Sequence, residues 1–230
     1  SYIDAGTGLG DSLGGSYSGD LTVSMWLKFD STSTQYGLFY IGNLAGGSGS
    51  FWINTSASKL WIYANNGSAG YINCSISSLN TTDWYNVICV YKGYDISNSK
   101  IYINNVSQTL TTSGNFNYTY DFTSKKTAIG DYYTTPPFRG FNGEISNTQI
   151  FNTALSSTDV ETLYNNGSPL TSMSGFTSLV GWWKLDATAT YDSSTTTWTI
   201  PDDSTNSNTG TSSGMTQANL VQSDLSFTSG

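Results

Sequence analysis

Residues 21–29 read Leu-Thr-Val-Ser-Met-Trp-Leu-Lys-Phe, with an apolar side chain at every odd position and Thr22, Ser24 and Lys28 between them. Successive side chains of a strand point to opposite faces, so this spacing predicts an extended segment with one buried face and one largely polar face. Trp26 breaks the pattern as an aromatic on the outer face. A half-buried strand must be completed by a second layer, and the rest of the chain supplies candidates for it.

Further strands are expected at Tyr36–Ile41, Ser50–Ile53, Lys59–Tyr63, Tyr71–Ile76, Trp84–Tyr91, Lys100–Ile103, Lys125–Ile129, Gly143–Phe151 and Leu179–Leu185. Turn clusters separate them: Gly46-Gly47-Ser48-Gly49, Asn65-Asn66-Gly67, Asn104-Asn105 and Thr135-Pro136-Pro137. About ten short strands with almost no helix between them predict an all-β, antiparallel sandwich. One helix is expected near 156–165. Ser156 reads as its N-cap, Asp159 and Glu161 sit where the helix dipole favours negative charge, and Gly167 supplies a stop. Leu155, Val160, Leu163 and Tyr164 form the stripe that docks on the sheet. Near Thr171 the character changes to a Ser/Thr/Asn-rich tail in which Trp198-Thr199-Ile200 is the firm strand after 179–185.

The 230 residues hold 16 Asp+Glu against 8 Lys+Arg, a net charge of -8. Such a chain repels phosphate backbones, which argues against nucleic acid as a partner. No apolar run approaches the ~18–20 residues of a membrane span. No basic-plus-apolar signal precedes Ser1, so the chain reads as a mature segment or a piece of something longer. Cys74 and Cys89 read as buried thiols in strands or as a cross-strand disulfide. Sequons at Asn54, Asn66, Asn73, Asn80, Asn105, Asn117 and Asn166 permit glycosylation.

Three segments together resemble laminin-G-like (pentraxin-like) domains of the concanavalin A-like lectin/glucanase superfamily. They are Asp20–Lys28, then Asp83–Tyr91 followed by Lys100–Asn105, and finally Phe141–Leu155 with the short helix after it. The resemblance implies a concanavalin A-like jelly roll over residues 1–170. It also makes the tail, 171–230, unusual. A strand like Leu179–Asp186 followed by a segment like Asp203–Thr211 opens a domain in such families, whereas here it closes the chain. The tail then completes its own sheet as a permuted element, opens the next repeat of an array, or pairs with a neighbouring copy, since an unfinished edge recruits other chains. This arrangement and its Ser/Thr/Asn richness are similar to surface or fibre proteins of aquatic viruses.

Catalytic chemistry is poorly supplied. The chain has no histidine, which removes the commonest general base, the Ser-His-Asp triad and most zinc catalysis. Glycoside hydrolysis needs two carboxyl groups flanking one bond. Glucanases of the resembled fold carry a Glu-x-Asp-x-(x)-Glu strand, and the two glutamates here, Glu144 and Glu161, do not form it. Asp202-Asp203 would point to opposite faces if extended and is expected in a turn. No catalytic residue is assigned.

Sugar recognition uses aromatic rings with amide and hydroxyl groups, and the chain has 7 Trp, 16 Tyr and 10 Phe. A sandwich core also consumes aromatics, and Trp26, Trp84 and Trp182 fall in strands that suit that role. Trp52, Trp61 and Tyr63 fall on mid-domain strands where a concave binding face is equally plausible. The loop Gly130–Gly140 gathers Tyr132, Tyr133, Phe138 and Arg139 without strand or helix periodicity, as binding loops do; the alternative is a loop that plugs the sandwich edge. The resemblance further implies a Ca²⁺ at the sandwich rim, held by oxygen ligands. With no local Asp-x-Asp-x-Asp ladder, Asp131 with Asn142 is the pair it would draw on. The expectation is a non-catalytic carbohydrate or cell-surface binding module used for adhesion, exposed on an extracellular surface or virion, with glycans or host or neighbouring surface proteins as partners. A structural or decoration domain, assembling as a homo-oligomer or multi-copy array, is the second reading, and a glucan hydrolase the third.

Overall fold

The computed structural model describes residues 1–15, 17, 19–42, 49–65, 69–93, 95–114, 119–131 and 139–221. Strand β1 (Tyr2–Asp4) leads through a six-residue helix α1 (Gly8–Leu13) to β2 (Leu21–Lys28), β3 (Tyr36–Gly42), β4 (Ser50–Ser56), β5 (Lys59–Asn65), β6 (Ala69–Ser75) and β7 (Trp84–Tyr91). The short strands β8 (Lys100–Ile103), β9 (Val106–Ser107), β10 (Thr111–Ser113) and β11 (Lys126–Ile129) follow, then β12 (Glu144–Phe151) and helix α2 (Ser157–Tyr164). The tail contributes β13 (Leu179–Trp183), β14 (Thr190–Asp192), β15 (Thr197–Ile200) and β16 (Gly210–Ser213).

Among the described residues these strands form two antiparallel sheets. The larger runs β10-β6-β5-β4-β3-β11-β1-β16-β15-β14 and the smaller β13-β12-β2-β7-β8-β9. The odd positions of β2 face the larger sheet: Leu21, Val23, Met25 and Leu27 are buried, as the alternation predicts. They meet Phe39, Phe51, Ile53, Leu60, Ile62 and Ile72 from β3–β6 in one continuous core. Burying each such side chain contributes about 1.5–3 kcal/mol relative to exposure. Cys74 on β6 and Cys89 on β7 lie inside the same core as free thiols, one from each sheet.

Trp26 faces outward yet is buried, because α2 covers that face of the smaller sheet and its Tyr164 ring stacks on the indole, centroids 6.2 Å apart. Leu155, Val160 and Leu163 dock against Ile88, Val90, Phe151 and Trp182. Ser156 caps the helix: its Oγ accepts from the Asp159 amide, and the Asp159 carboxylate accepts from the Ser156 amide at 2.9 Å. The helix ends at Tyr164, three residues before Gly167, because Asn165 and Asn166 already adopt left-handed backbone. Strand β12 is also less regular than its sequence suggests. Asn147, at φ 47°, forms a bulge between Ser146 and Gln149, and its Oδ1 accepts from the Trp182 indole at 3.2 Å.

The tail is stitched to both layers. β13 pairs with β12, and β16 pairs with β1. Trp183 is fully buried in the core, and its indole N–H donates to the Asn208 carbonyl at 2.9 Å. β13 ends at Trp183, short of Leu185, because Leu185 sits at φ 59°, which no strand allows. Asp202 is the clamp. Its buried carboxylate accepts from the backbone N–H groups of Trp182 (2.7 Å), Ser204 (2.9 Å) and Asn208 (2.8 Å), and from the Ser204 hydroxyl (2.9 Å). Asp203, its neighbour, points the other way and pairs with Lys184.

Asp202→Ala would leave three buried or half-buried amides without an acceptor, so a loss of about 2–4 kcal/mol is expected in urea or thermal unfolding. Burial also pushes the Cys74 thiol up to about 11 and raises the Cys89 thiol and the Tyr17 and Tyr91 phenols above their ordinary values. Raised folded values make the unfolded chain release protons first. Their contribution is therefore complete below the ordinary thiol value of 9.0 and drains away as pH rises through the folded values. The melting temperature is expected to fall between pH 9 and 11, and Cys74→Ala with Cys89→Ala should flatten the early part of that fall.

Candidate functional site

Even-numbered positions of β4 and odd-numbered positions of β5 and β6 point away from the core, and there the larger sheet carries aromatics. Tyr40, Trp52, Tyr63 and Tyr71 are direct cross-strand neighbours on β3, β4, β5 and β6. Trp61 lies one position along β5, flanked across the strands by Asn54 and Asn73. The Trp52 and Tyr63 rings are stacked with centroids 4.9 Å apart and planes 10° from parallel. Trp61 lies 5.6 Å from Tyr63 at 18°, while Tyr71 meets Trp61 edge-on at 5.1 Å and Tyr63 at 5.7 Å.

Those numbers define how the rings sit. Parallel rings in contact are separated by about 3.5 Å, so a 4.9 Å centroid distance requires a sideways slip of about 3.4 Å. The near-parallel rings of Trp52, Tyr63 and Trp61 therefore overlap only in part. Trp52, Trp61, Tyr63 and Tyr71 are accordingly half-buried, while Tyr40, Ser50, Asn54 and Asn73 beneath and between them are buried. The Trp61 indole is fixed by donating to the Ser56 carbonyl at 3.1 Å, and the Lys59 ammonium lies 5.4 Å from its ring centroid. The same row continues through Ala128, Asp4, Thr211, Thr199 and Thr190, so the aromatic half of the sheet passes into a low floor of small and polar groups. Cross-strand aromatic pairs also stabilise a sheet by about 0.5–1.5 kcal/mol each, so the ladder has a structural role whatever it binds.

Trp52, Trp61 and Tyr63, which the sequence marks as candidates, are thus brought into one cluster. Tyr71 joins them unannounced, because its place depends on the β5–β6 register, which no local pattern carries. In the Gly130–Gly140 loop, Arg139 is exposed; its guanidinium engages Gln35, and its carbonyl accepts from the Gly37 amide at 2.7 Å. Tyr132, Tyr133 and Phe138 lie outside the described residues. Asp131 is buried, whereas Asn142 is exposed and donates to Asp30 at 2.7 Å. Among the described residues no group of three or more His, Cys, Asp or Glu side chains could hold a metal ion. Asn54 and Asn73, both sequons, are buried under the ladder and closed to glycosylation in the folded chain.

A second concavity of about 430 Å³ opens at one end of the sandwich, between the β2–β12 end and the tail. Trp84, Trp198, Met215 and Val221 give it apolar walls, and Asp30 and Glu144 both line it. Two carboxylates in one cleft invite comparison with a glycosidase, but both are engaged. Glu144 pairs with Lys28 at 3.6 Å, and Asp30 Oδ2 accepts from Tyr36 at 2.9 Å and Asn142 at 2.7 Å. Glu161 lies on α2, which packs on the outer face of the smaller sheet. Among the described residues no helix is long and apolar enough to cross a membrane.

Two antiparallel sheets face to face, with a capped helix on the outer face of the smaller, make this a lectin-type β-sandwich. The chain belongs to the concanavalin A-like lectin/glucanases superfamily, whose laminin-G group matches residues 4–161, more than half of its length. No curated protein matches it. Among solved structures it is similar to a candidate carbohydrate-binding protein of Bacteroides ovatus ATCC 8483, at 17% identity and TM-score 0.56, covering 84% of this chain. The chain spans 51% of that protein. It is similar at 18% identity and TM-score 0.47 to the CBM40 of the Ruminococcus gnavus IT-sialidase bound to α2,3-sialyllactose, covering 63% of this chain and 82% of that one. The mouse laminin α1 chain, domains LG4-5, is similar at 13% identity and TM-score 0.43, covering 57% and 34%.

Proposed function

We propose that the chain is a non-catalytic carbohydrate-binding module that works outside the cytoplasm and holds its ligand on the outer face of the larger sheet. The observation that carries this reading is the slipped stack of Trp52, Tyr63 and Trp61 with Tyr71 set edge-on against it. A pyranose ring has an apolar face of C–H groups carrying slight positive charge, and an aromatic face is negative, so the two attract across a dry contact. Hydroxyl and amide groups must then meet the sugar's polar edges, and Ser75, Thr111 and Ser113 share the ladder's face. Membership of a superfamily that includes lectins agrees with this use. Both carboxylates of the end cleft are engaged, which supports binding rather than hydrolysis. The intrachain pairing of β13 and β16 supports the tail as the last part of this sandwich rather than the opening of another. Presentation on a cell or particle surface for adhesion fits the reading, and glycan-bearing surfaces would be its partners.

Trp61→Ala and Tyr71→Ala are expected to weaken binding to polysaccharide by roughly tenfold each, measured by affinity electrophoresis, with an unchanged far-UV circular dichroism spectrum. Binding that survives both changes but is lost in Tyr132→Ala or Tyr133→Ala would move the site to the Gly130–Gly140 loop.

A further inference from the structure

From the charge and the direction of the aromatic ladder we infer that its ligand is an uncharged, extended glycan chain lying across the strands, and not an acidic sugar. This rests on the reading of the ladder as the binding site and adds which glycans it accepts.

Direction comes first. The rings follow one another perpendicular to the strands, with steps of 4.9 Å from Trp52 to Tyr63 and 5.7 Å from Tyr63 to Tyr71. Neighbouring strands are about 4.8 Å apart, a spacing close to the rise per sugar of an extended β-linked chain. A run of rings at that interval presents one contact after another to consecutive sugars of the same strand of polysaccharide. The row then continues over the small side chains of Ala128, Asp4, Thr211 and Thr199, flanked by Tyr2, which packs against the Tyr40–Ala128 pair, and by Lys126, which reaches Asp4.

Charge comes second. Carboxylate and sulfate groups are held best by the two-pronged guanidinium of arginine. The chain has one arginine, Arg139, and its guanidinium already engages Gln35. Lys126 on this face is paired with Asp4 at 2.7 Å. Lys59 is the remaining cation there, and its ammonium already lies over Trp61. An anion laid on the ladder would also meet the negative faces of the rings and the field of a chain with net charge -8. A neutral sugar meets neither penalty. Beside Trp61, the buried Asn54 has an Oδ1 that accepts no hydrogen bond, a neutral acceptor and not a cation.

The test titrates the intact chain with neutral probes of increasing length, cellobiose to cellohexaose and soluble mixed-linkage β-glucan, and with acidic probes, α2,3-sialyllactose, hyaluronan and heparin. Isothermal calorimetry is run in low salt and again near 1 M, where the screening length falls to about 3 Å. The expected result is binding of the neutral series that strengthens by roughly tenfold or more from dimer to hexamer. It should change less than about threefold with salt, survive Lys59→Gln, and be lost in Trp61→Ala and Tyr71→Ala. Preferred binding of an acidic probe that weakens in high salt and is lost in both ring variants would overturn this inference and leave the ladder as the glycan site. Glycan binding indifferent to the ring variants, or no glycan binding, would overturn the site itself. So would concentration-dependent self-association in sedimentation that the ring variants abolish, since the ladder would then be an interface between copies.

Discussion

Everything in this molecule follows from the gap between its two sheets. That gap accepts every second side chain of the central strands, and the core it encloses runs from Ile3 on β1 to Ile200 on β15. Because a strand has only two faces, a residue denied to the gap must go outward, where it is covered by another element or left to meet a ligand. The smaller sheet takes the first course, with α2 and Tyr164 closing over Trp26. The larger sheet takes the second over β4–β6, and its outward aromatics cover one another in a slipped stack. One geometric rule thus separates the structural tryptophans from the available ones.

Much of this is legible in the sequence. The alternation of residues 21–29 defined the inward face of β2, and the Ser156–Asp159 pair announced α2 with its capping box. Trp52, Trp61 and Tyr63 could be named as candidates but not joined, since the sequence shows which residues alternate and not which strand pairs with which. Tyr71 was missed for that reason. Strands β14 and β16 were missed for another: Thr-Tyr-Asp and Gly-Thr-Ser-Ser have almost no apolar content, and they are strands because β15 and β1 offer them hydrogen-bonding edges. In the sequence Asp202 is only half of an acidic pair in a turn. Its grip on the amides of Trp182, Ser204 and Asn208 exists only once the tail has folded back.

The tail shows how a polar, low-complexity segment can still be held firmly. A Ser/Thr/Asn-rich stretch cannot bury enough apolar surface to order itself. Here Trp183 and Ile200 enter the core of the earlier residues, and a buried carboxylate meets four donors. Gly210 allows the close approach, since a Cβ there would stand 2.6 Å from Ile3 Cγ2. The polar tail therefore depends on a few anchors, and its many hydroxyls are free to stay in water.

The ladder joins stability and recognition in the same atoms. Rings that overlap by half stabilise the sheet through the covered half of each face and can attract a sugar only through the uncovered half. A fully eclipsed stack would hold the strands and bind nothing, while rings splayed flat would bind well but no longer support one another across the strands. The 4.9 Å centroid separation of the near-parallel Trp52 and Tyr63 rings lies between these limits. Trp61 is held at the end of the stack by its bond to Ser56 and by the ammonium of Lys59. Such a surface is preorganised, so little side-chain freedom is lost when a ligand lands on it. Its one nearby ammonium, Lys59, already lies over the Trp61 ring, and that leaves shape and length as its means of selection.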